Sequence, residues 1–419
     1  MTDTSTSPAP EPIDNAEFER DPHVVLAKHR SMGWWAPLGS TPWSEVLGHE
    51  QVRELLSRDD RMAACLGEFV EQLMLANPEL APEHREATHE VSRQSLINMD
   101  GERHHRLRSL VARAFTPRSV AALRPALERR AAALAAEMKP GADFMRGFAR
   151  ALPAQALCEL TGIPANDRDR FVAWIDVLEV QLKPQALAAL DRAGSEGVVR
   201  AHHELTAYTA ALVAERREHP RDDLLSRFVQ EAGGEFDDAV IAGLVADLIF
   251  AGNDTTRNEL GLMMLRLAAH PEVWERVYAD AEYAPAVIEE VLRLDSTAPG
   301  PVRKACPAFT YQDREFRDGE VLVLSIWSAN RDQTFWGETA SQFDPDRENA
   351  GQHLSFGHGP HYCLGASLAR EELRAALVAL TREITDLRVL EPPPMHRPGS
   401  IYGPISLHLD FRRRAAVSP

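Results

Sequence analysis

Cysteine is scarce in this chain of 419 residues: Cys65, Cys158, Cys306 and Cys363 are widely scattered and form no C-x-x-C pair. A disulfide-built secreted scaffold is thereby excluded, and a reducing cytoplasm is the expected setting. Positive charge is also in short supply, since 46 Lys and Arg face 63 Asp and Glu, a net charge of −17. Such a balance disfavours non-specific binding to nucleic acid or to anionic membranes, so neither is expected as a partner. Long apolar runs are missing as well. The longest, near 241–252, is interrupted by Asp247 and falls short of the ~20 residues a spanning helix needs. Residues 1–22 have neither a basic start nor an apolar centre, so they are expected to be a loosely attached leader, with 23–419 as one domain.

What is present is ordinary globular composition, 44% hydrophobic and 26% charged, enough at this length to bury a sizeable core. Ala/Leu/Arg-rich stretches of 3.6-residue period predict helices over 104–115, 119–138, 144–161, 185–217, 237–269, 271–280, 285–294 and 364–383. Thr116-Pro117, Gly162-Ile163-Pro164, His219-Pro220 and His270-Pro271 fall where such helices should end. Strand patterns are short, 309–311, 320–326 and 405–411, too few for a central sheet. The fold class expected is mainly α with a minor β lobe. Residues 330–362 have little periodicity and much Gly, Pro, Asp and Asn, an irregular run of a length that usually serves a function.

That run closes on Phe356-Gly-His-Gly-Pro-His-Tyr-Cys363-Leu-Gly365 and opens a helix. Backbone N–H groups and the helix dipole favour thiolate over thiol there, poising Cys363 as a ligand or nucleophile. Gly357 and Gly359 permit backbone conformations closed to other residues, Pro360 stiffens the loop, and Gly365 admits a flat ligand. A lone cysteine of this kind is more often a small buried hydrophobe. Zinc is a second alternative, through His353, His358, His361 and Cys363, but no second ligand pair exists. The helix over 237–269 is apolar on most faces, yet its centre reads Ala251-Gly252-Asn253-Asp254-Thr255-Thr256. Polar groups in a buried helix are costly unless used. Gly252, and the Thr255 hydroxyl bonded back to the carbonyl of residue 251, are expected to open the helical ladder into a groove for a small ligand or water.

The cysteine loop resembles the haem-binding signature of the cytochromes P-450, F-G-x-G-x-H-x-C-x-G, at Phe356, Gly357, Gly359, His361, Cys363 and Gly365. The central helix resembles the family's oxygen-binding A-G-x-D/E-T at Ala251, Gly252, Asp254 and Thr255. Glu290 and Arg293, which alone would read as a weak surface ion pair, match E-x-x-R, with Arg347 as the expected third member. His104 and Arg108 resemble the family's H-x-x-x-R haem-propionate clamp, and Arg303 and His361 match its remaining propionate contacts. Asp100-Gly101-Glu102-Arg103 departs from the commoner D-P-P-E, which should affect only the entry to that helix.

The resemblance covers roughly 100–411 and implies the cytochrome P-450 fold, a mainly helical triangular prism with haem between the long central helix and the helix after the cysteine loop. It implies haem b with Cys363 as axial iron ligand, Asp254 and Thr255 as a proton relay to dioxygen, and Glu290, Arg293 and Arg347 as a structural cluster. The activity implied is monooxygenation of a small organic substrate, by hydroxylation or oxidative demethylation, in a cytoplasmic monomer. Electrons are expected from a ferredoxin and its reductase, the donor docking on a positive face made by Arg106, Arg113, Arg370 and Arg374. A peroxide-driven peroxygenase and a haem sensor or storage protein are the rivals, and neither needs the Asp254–Thr255 relay. Substrate-contact candidates are Asp247, Phe250, Ala251, Gly300, Val302 and Ile401. Asp247 either makes internal polar bonds or recognises an amine or hydroxyl of the substrate.

Overall fold

Caps set the helix boundaries. Thr116, Asp191, Asp223 and Asp237 each accept a backbone N–H three residues on, and Gly162 and Gly233 stop helices in the left-handed conformation that glycine adopts without strain. The computed structural model describes residues 10–39, 41–77, 95–182, 186, 189–399 and 401–415. Its first part runs α1 (Asn15–Arg20), α2 (Pro22–Met32), β1 (Trp35–Pro37), β2 (Ser44–Val46), α3 (His49–Leu55), β3 (Met62–Ala64) and α4 (Leu66–Ala76). The helical body follows: α5 (Gly101–Ala114), α6 (Pro117–Glu137), α7 (Ala151–Thr161), α8 (Arg168–Leu178), α9 (Arg192–Glu218), α10 (Leu224–Ala232), α11 (Asp238–Ala268), α12 (Pro271–Ala279) and α13 (Ala284–Leu294). Then come β4 (Val302–Ala305), β5 (Phe309–Tyr311), β6 (Arg314–Phe316), β7 (Val321–Leu324), α14 (Ile326–Ala329), α15 (Gln333–Trp336), α16 (Ala366–Glu383), β8 (Ile384–Val389) and β9 (Leu409–Arg413).

The eight helices read from periodicity are present, with shifted ends. α9 starts only at Arg192, behind its cap Asp191, and α16 starts at Ala366, three residues after Cys363. The expected leader is corrected from Ile13 onward. Ile13 is fully buried, its N–H bonds the Pro37 carbonyl at 2.8 Å, and Val25 and Leu26 pack beside it against Ala36, Leu47 and Trp327. Burial of apolar side chains, invisible in a polar stretch read residue by residue, fastens the segment.

β1, β2, β7, β4 and β3 form one sheet in that order, with β2 and β7 parallel and the other pairs antiparallel. This is the β lobe, and most of its strands are too short for alternation to betray them. β4 sits between β7 and β3, which fixes Arg303 opposite Ala64. The main hydrophobic core joins α5 to α13 and α16, while a second cluster fills the space between α3 and the sheet. α11 is 31 residues long, ~46 Å at 1.5 Å per residue. By length and composition it could cross a bilayer, but it packs against α7, α9, α12, α13 and α16 as the helix around which the body is built.

Candidate functional site

The cysteine loop is held by its own backbone. Gly357 and Gly359 have φ of +72° and +69°, and a Cβ on Gly359 would lie 2.8 Å from the Leu56 carbonyl oxygen, so no other residue fits there. The Cys363 N–H bonds the Phe356 carbonyl at 2.8 Å, and that of Tyr362 bonds Gly359 at 3.0 Å. The sulfur accepts from the N–H groups of Gly365 and Ala366. Cys363 lies deep within the protein mass and is nevertheless accessible, so it fronts an internal cleft. Burial pushes the Cys363 thiol up in the protein alone, opposed by the two N–H groups and by the more distant Arg108 and Arg370. A Cβ at Gly365 would meet only the Cys363 sulfur, at 3.8 Å, leaving open space over the loop.

Beside the loop, α5, β4 and the cysteine segment bring a second group together. The buried His104 ring stacks on His361 at 4.2 Å between centroids. His361 Nε2 lies 3.0 Å from Asp100 Oδ1, while Asp100 Oδ2 accepts the Ala64 N–H at 2.7 Å. Arg303 is buried and interacts with the same carboxylate, and Arg108 donates to the Tyr362 carbonyl. His104, His361, Arg108 and Arg303 thus converge as the motifs imply. Asp100 is the residue that sequence reasoning missed. It does not cap α5; it ties β3 to the cysteine loop, a link across 261 residues that no spacing rule foresees.

On α11 the Thr255 hydroxyl donates to the Ala251 carbonyl at 2.8 Å, as expected. The helix nonetheless runs unbroken through this turn, and Gly252 faces α7, where a Cβ would come 3.3 Å from the Leu157 side chain. The open positions of this turn are therefore the small, exposed Ala251 and the half-exposed Thr255, and Gly252 serves close helix packing. Asp254 points inward, where Asn258 Nδ2 donates to its Oδ1 at 3.0 Å. Near Thr256, the fully buried Glu372 of α16 has a carboxyl pushed up to about 8 by burial.

Beneath the irregular run, Arg293 is fully buried and donates to both oxygens of Glu290 at 2.7 Å and to the carbonyls of Asn330, Ala340 and Gln342. Arg347 adds a 3.3 Å bond to Glu290 and others to Trp336 and Thr339. These ions fasten the segment that ends at Cys363.

Among the substrate candidates, Gly300 packs tightly against the sheet, since a Cβ there would lie 2.2 Å from the Leu324 carbonyl oxygen. Val302 pairs with Val323 in the sheet, and Ile401 is half-buried. The Phe250 side chain lies outside the described residues. Asp247 Oδ2 accepts the Leu96 N–H at 3.0 Å, and the Ser95 hydroxyl also bonds this carboxylate. The expected positive face is corrected too. Arg106 pairs with Glu235, Arg113 with Glu231, Arg370 with Glu289, and Arg374 with Glu128 and Glu282. Near neighbours on the same chain cancel that charge. A separate cleft of about 480 Å³ opens elsewhere, where Arg150–Asp176 and Arg257–Glu179 ion pairs line it with Asp143, Arg146 and Ile405. It contains none of the groups around Cys363.

A curated relative shares this chain over most of its length: the mycinamicin IV hydroxylase/epoxidase of Micromonospora griseorubida is 32% identical over 363 residues, 84% of each chain. The chain belongs to the cytochrome P-450 family. The family model, described as Cytochrome P450, matches residues 180–385 of it. The methyl-branched lipid omega-hydroxylase of Mycobacterium tuberculosis is 36% identical over 313 residues, 71% of this chain and 70% of that one. A solved cytochrome P-450 of Chondromyces apiculatus superposes with a TM-score of 0.82 at 26% identity, covering 97% of this chain and 99% of that structure. The mainly helical architecture with small sheets is thus the cytochrome P-450 fold, and the enzyme is a cytochrome P-450 monooxygenase.

The family implies haem, and the residues of this cytochrome P-450 fit it. The Cys363 sulfur fronts a cleft with open space above Gly365. His104 Nε2 is buried with no hydrogen-bond partner among the described residues, while among these Arg303 has Asp100 as a nearby carboxylate and Arg108 meets only the Tyr362 carbonyl and the Cys363 sulfur. Such a set wants anionic acceptors, which the two haem carboxylates supply.

Proposed function

We propose that this cytochrome P-450 hydroxylates or oxidatively demethylates a small organic substrate, as a cytoplasmic monomer using haem b, O2 and electrons from a ferredoxin and its reductase. The reading rests on two observations taken together, the accessible Cys363 sulfur and the open Ala251 and Thr255 of α11, which it assigns to one cleft. When bound, haem supplies the binding and reductive activation of dioxygen, with the thiolate favouring O–O cleavage. Cys363 would hold the iron. His104, Arg108, Arg303 and His361 would hold the propionates and orient the group against the loop. Thr255, whose hydroxyl is fixed on the Ala251 carbonyl, keeps its oxygen toward the cleft to accept a bond or pass a proton, with Asp254 as the acid one residue before it. The names of the relatives, a hydroxylase/epoxidase and an omega-hydroxylase, support insertion of oxygen into carbon skeletons.

The test is a reduced carbon-monoxide difference spectrum followed by turnover with a surrogate ferredoxin system. The wild type should give the thiolate-type band and Cys363→Ser should lose it entirely. Product formed with hydrogen peroxide but not with reductant and O2 would replace this reading with the peroxygenase, and no product under either condition would favour the sensor.

A further inference from the structure

Buried carboxylates in this molecule are handled in two ways. Some meet arginine: Glu290 meets Arg293, Asp223 meets Arg216 and Glu179 meets Arg257. Others are fully buried with carboxyls raised furthest by burial, as in Glu259 and Glu372. Asp247 follows neither pattern. Burial raises its carboxyl only to about 6, its side chain stays partly open, and its partners are the uncharged Leu96 N–H and Ser95 hydroxyl. No Lys, Arg or His among the described residues forms an ion pair with it.

Its place on α11 matters. Asp247 is four residues before Ala251 and eight before Thr255, which at 100° per residue puts it ~40° and ~80° from them around the helix. It therefore shares the cleft face. Like Cys363, it lies deep in the protein mass and is still partly open. A charge taken out of water without a counter-ion is costly, and a partner that supplies the missing cation recovers much of that cost.

We propose that Asp247 is a specificity-determining residue that makes this cleft selective for substrates carrying a cationic nitrogen, such as a protonated or quaternary amine. The proposal rests on the reading of the cleft as the monooxygenase substrate site. The Ser95 and Leu96 bonds aim the carboxylate, and the substrate cation completes its surroundings.

The test uses the haem-loaded enzyme and matched probes: phenylalkyl trimethylammonium ions, which cannot ligate iron, and their tert-butyl carbon isosteres. Affinity is read from the Soret shift and, independently, by calorimetry. The wild type should bind the cations at least tenfold more tightly. Asp247→Asn, which keeps an acceptor for Leu96 and Ser95, should abolish the preference and leave affinity for the neutral isosteres unchanged. Equal weakening of both probe classes would overturn the proposal and reduce Asp247 to a support for residues 95–99. So would a wild type with no preference, or with no affinity for any cation of the series. If Asp247→Asn does not load haem, Asp247→Ser replaces it, and the wild-type preference remains decisive on its own. Failure of the underlying reading is distinguishable, since it shows as a wild type lacking the thiolate-type carbon-monoxide band.

Discussion

Two clusters of buried charge flank the cysteine loop, and they are finished to different degrees. In the cluster of Glu290, Arg293 and Arg347, every guanidinium is matched to a carboxylate or to backbone carbonyls, with the Asp344 N–H also on Glu290. In the cluster of His104, His361, Arg108 and Arg303, one carboxylate, Asp100, stands near Arg303 and the two imidazoles, and His104 Nε2 has no partner among the described residues. A completed polar network holds a fold, while an incomplete one is a request for a ligand.

That contrast can be broken by substitution. Arg293→Met leaves Glu290 short of its main cation and three carbonyls without donors, so it should cost ~3–5 kcal/mol, with haem lost alongside, measured by denaturant unfolding of the holoenzyme. A loss under ~1 kcal/mol would dissolve the distinction between the clusters. His104→Phe keeps a ring for His361 to stack on but removes Nε2. It should speed haem transfer to an apoglobin acceptor about tenfold, ~1.4 kcal/mol, while the denaturation midpoint hardly moves. Unchanged haem transfer would mean that the second cluster is structural as well.

A third treatment of charge predicts a pH effect. Burial raises the Glu372 carboxyl from 4.5 to about 8, so between these values the folded state holds a proton that the unfolded chain has released. Its contribution to stability is full below about 4.5 and is lost as pH rises through about 8. Glu372→Gln should flatten that decline in the denaturation midpoint across this range. The smallest effect is expected at the surface. Arg106→Gln breaks an exposed pair with Glu235 and should change stability by no more than ~0.5 kcal/mol. It should also leave the ionic-strength dependence of reduction by a ferredoxin nearly as in the wild type; a steep loss of that dependence would restore the idea of a positive docking face.

Legibility in the sequence followed how local each constraint is. The long helices declared themselves through period and caps, and the cysteine loop through a dense pattern whose glycines answer to real crowding at Leu56. Three-residue strands carried too little periodicity to read. Asp100 and the four surface arginines were misjudged for one reason: their partners lie far away in sequence, and charge counted along a chain does not reveal which charges meet. Gly252 was misassigned because a glycine in a helix fits equally well beside a ligand or beside another helix, and only the position of Leu157 decides.

The contacts of Gly359 with Leu56 and Ser57, and of His361 with Asp100, have a bearing on biosynthesis. A ribosome delivers Leu56, Ala64 and Asp100 long before the cysteine loop exists, so the grip on the prosthetic group cannot form until nearly the whole polypeptide has emerged. On the haem site proposed above, haem acquisition is a closing event in the life of each molecule. A nascent chain that stalls before the loop then lacks the loop's hold on haem, whatever the state of its helical body.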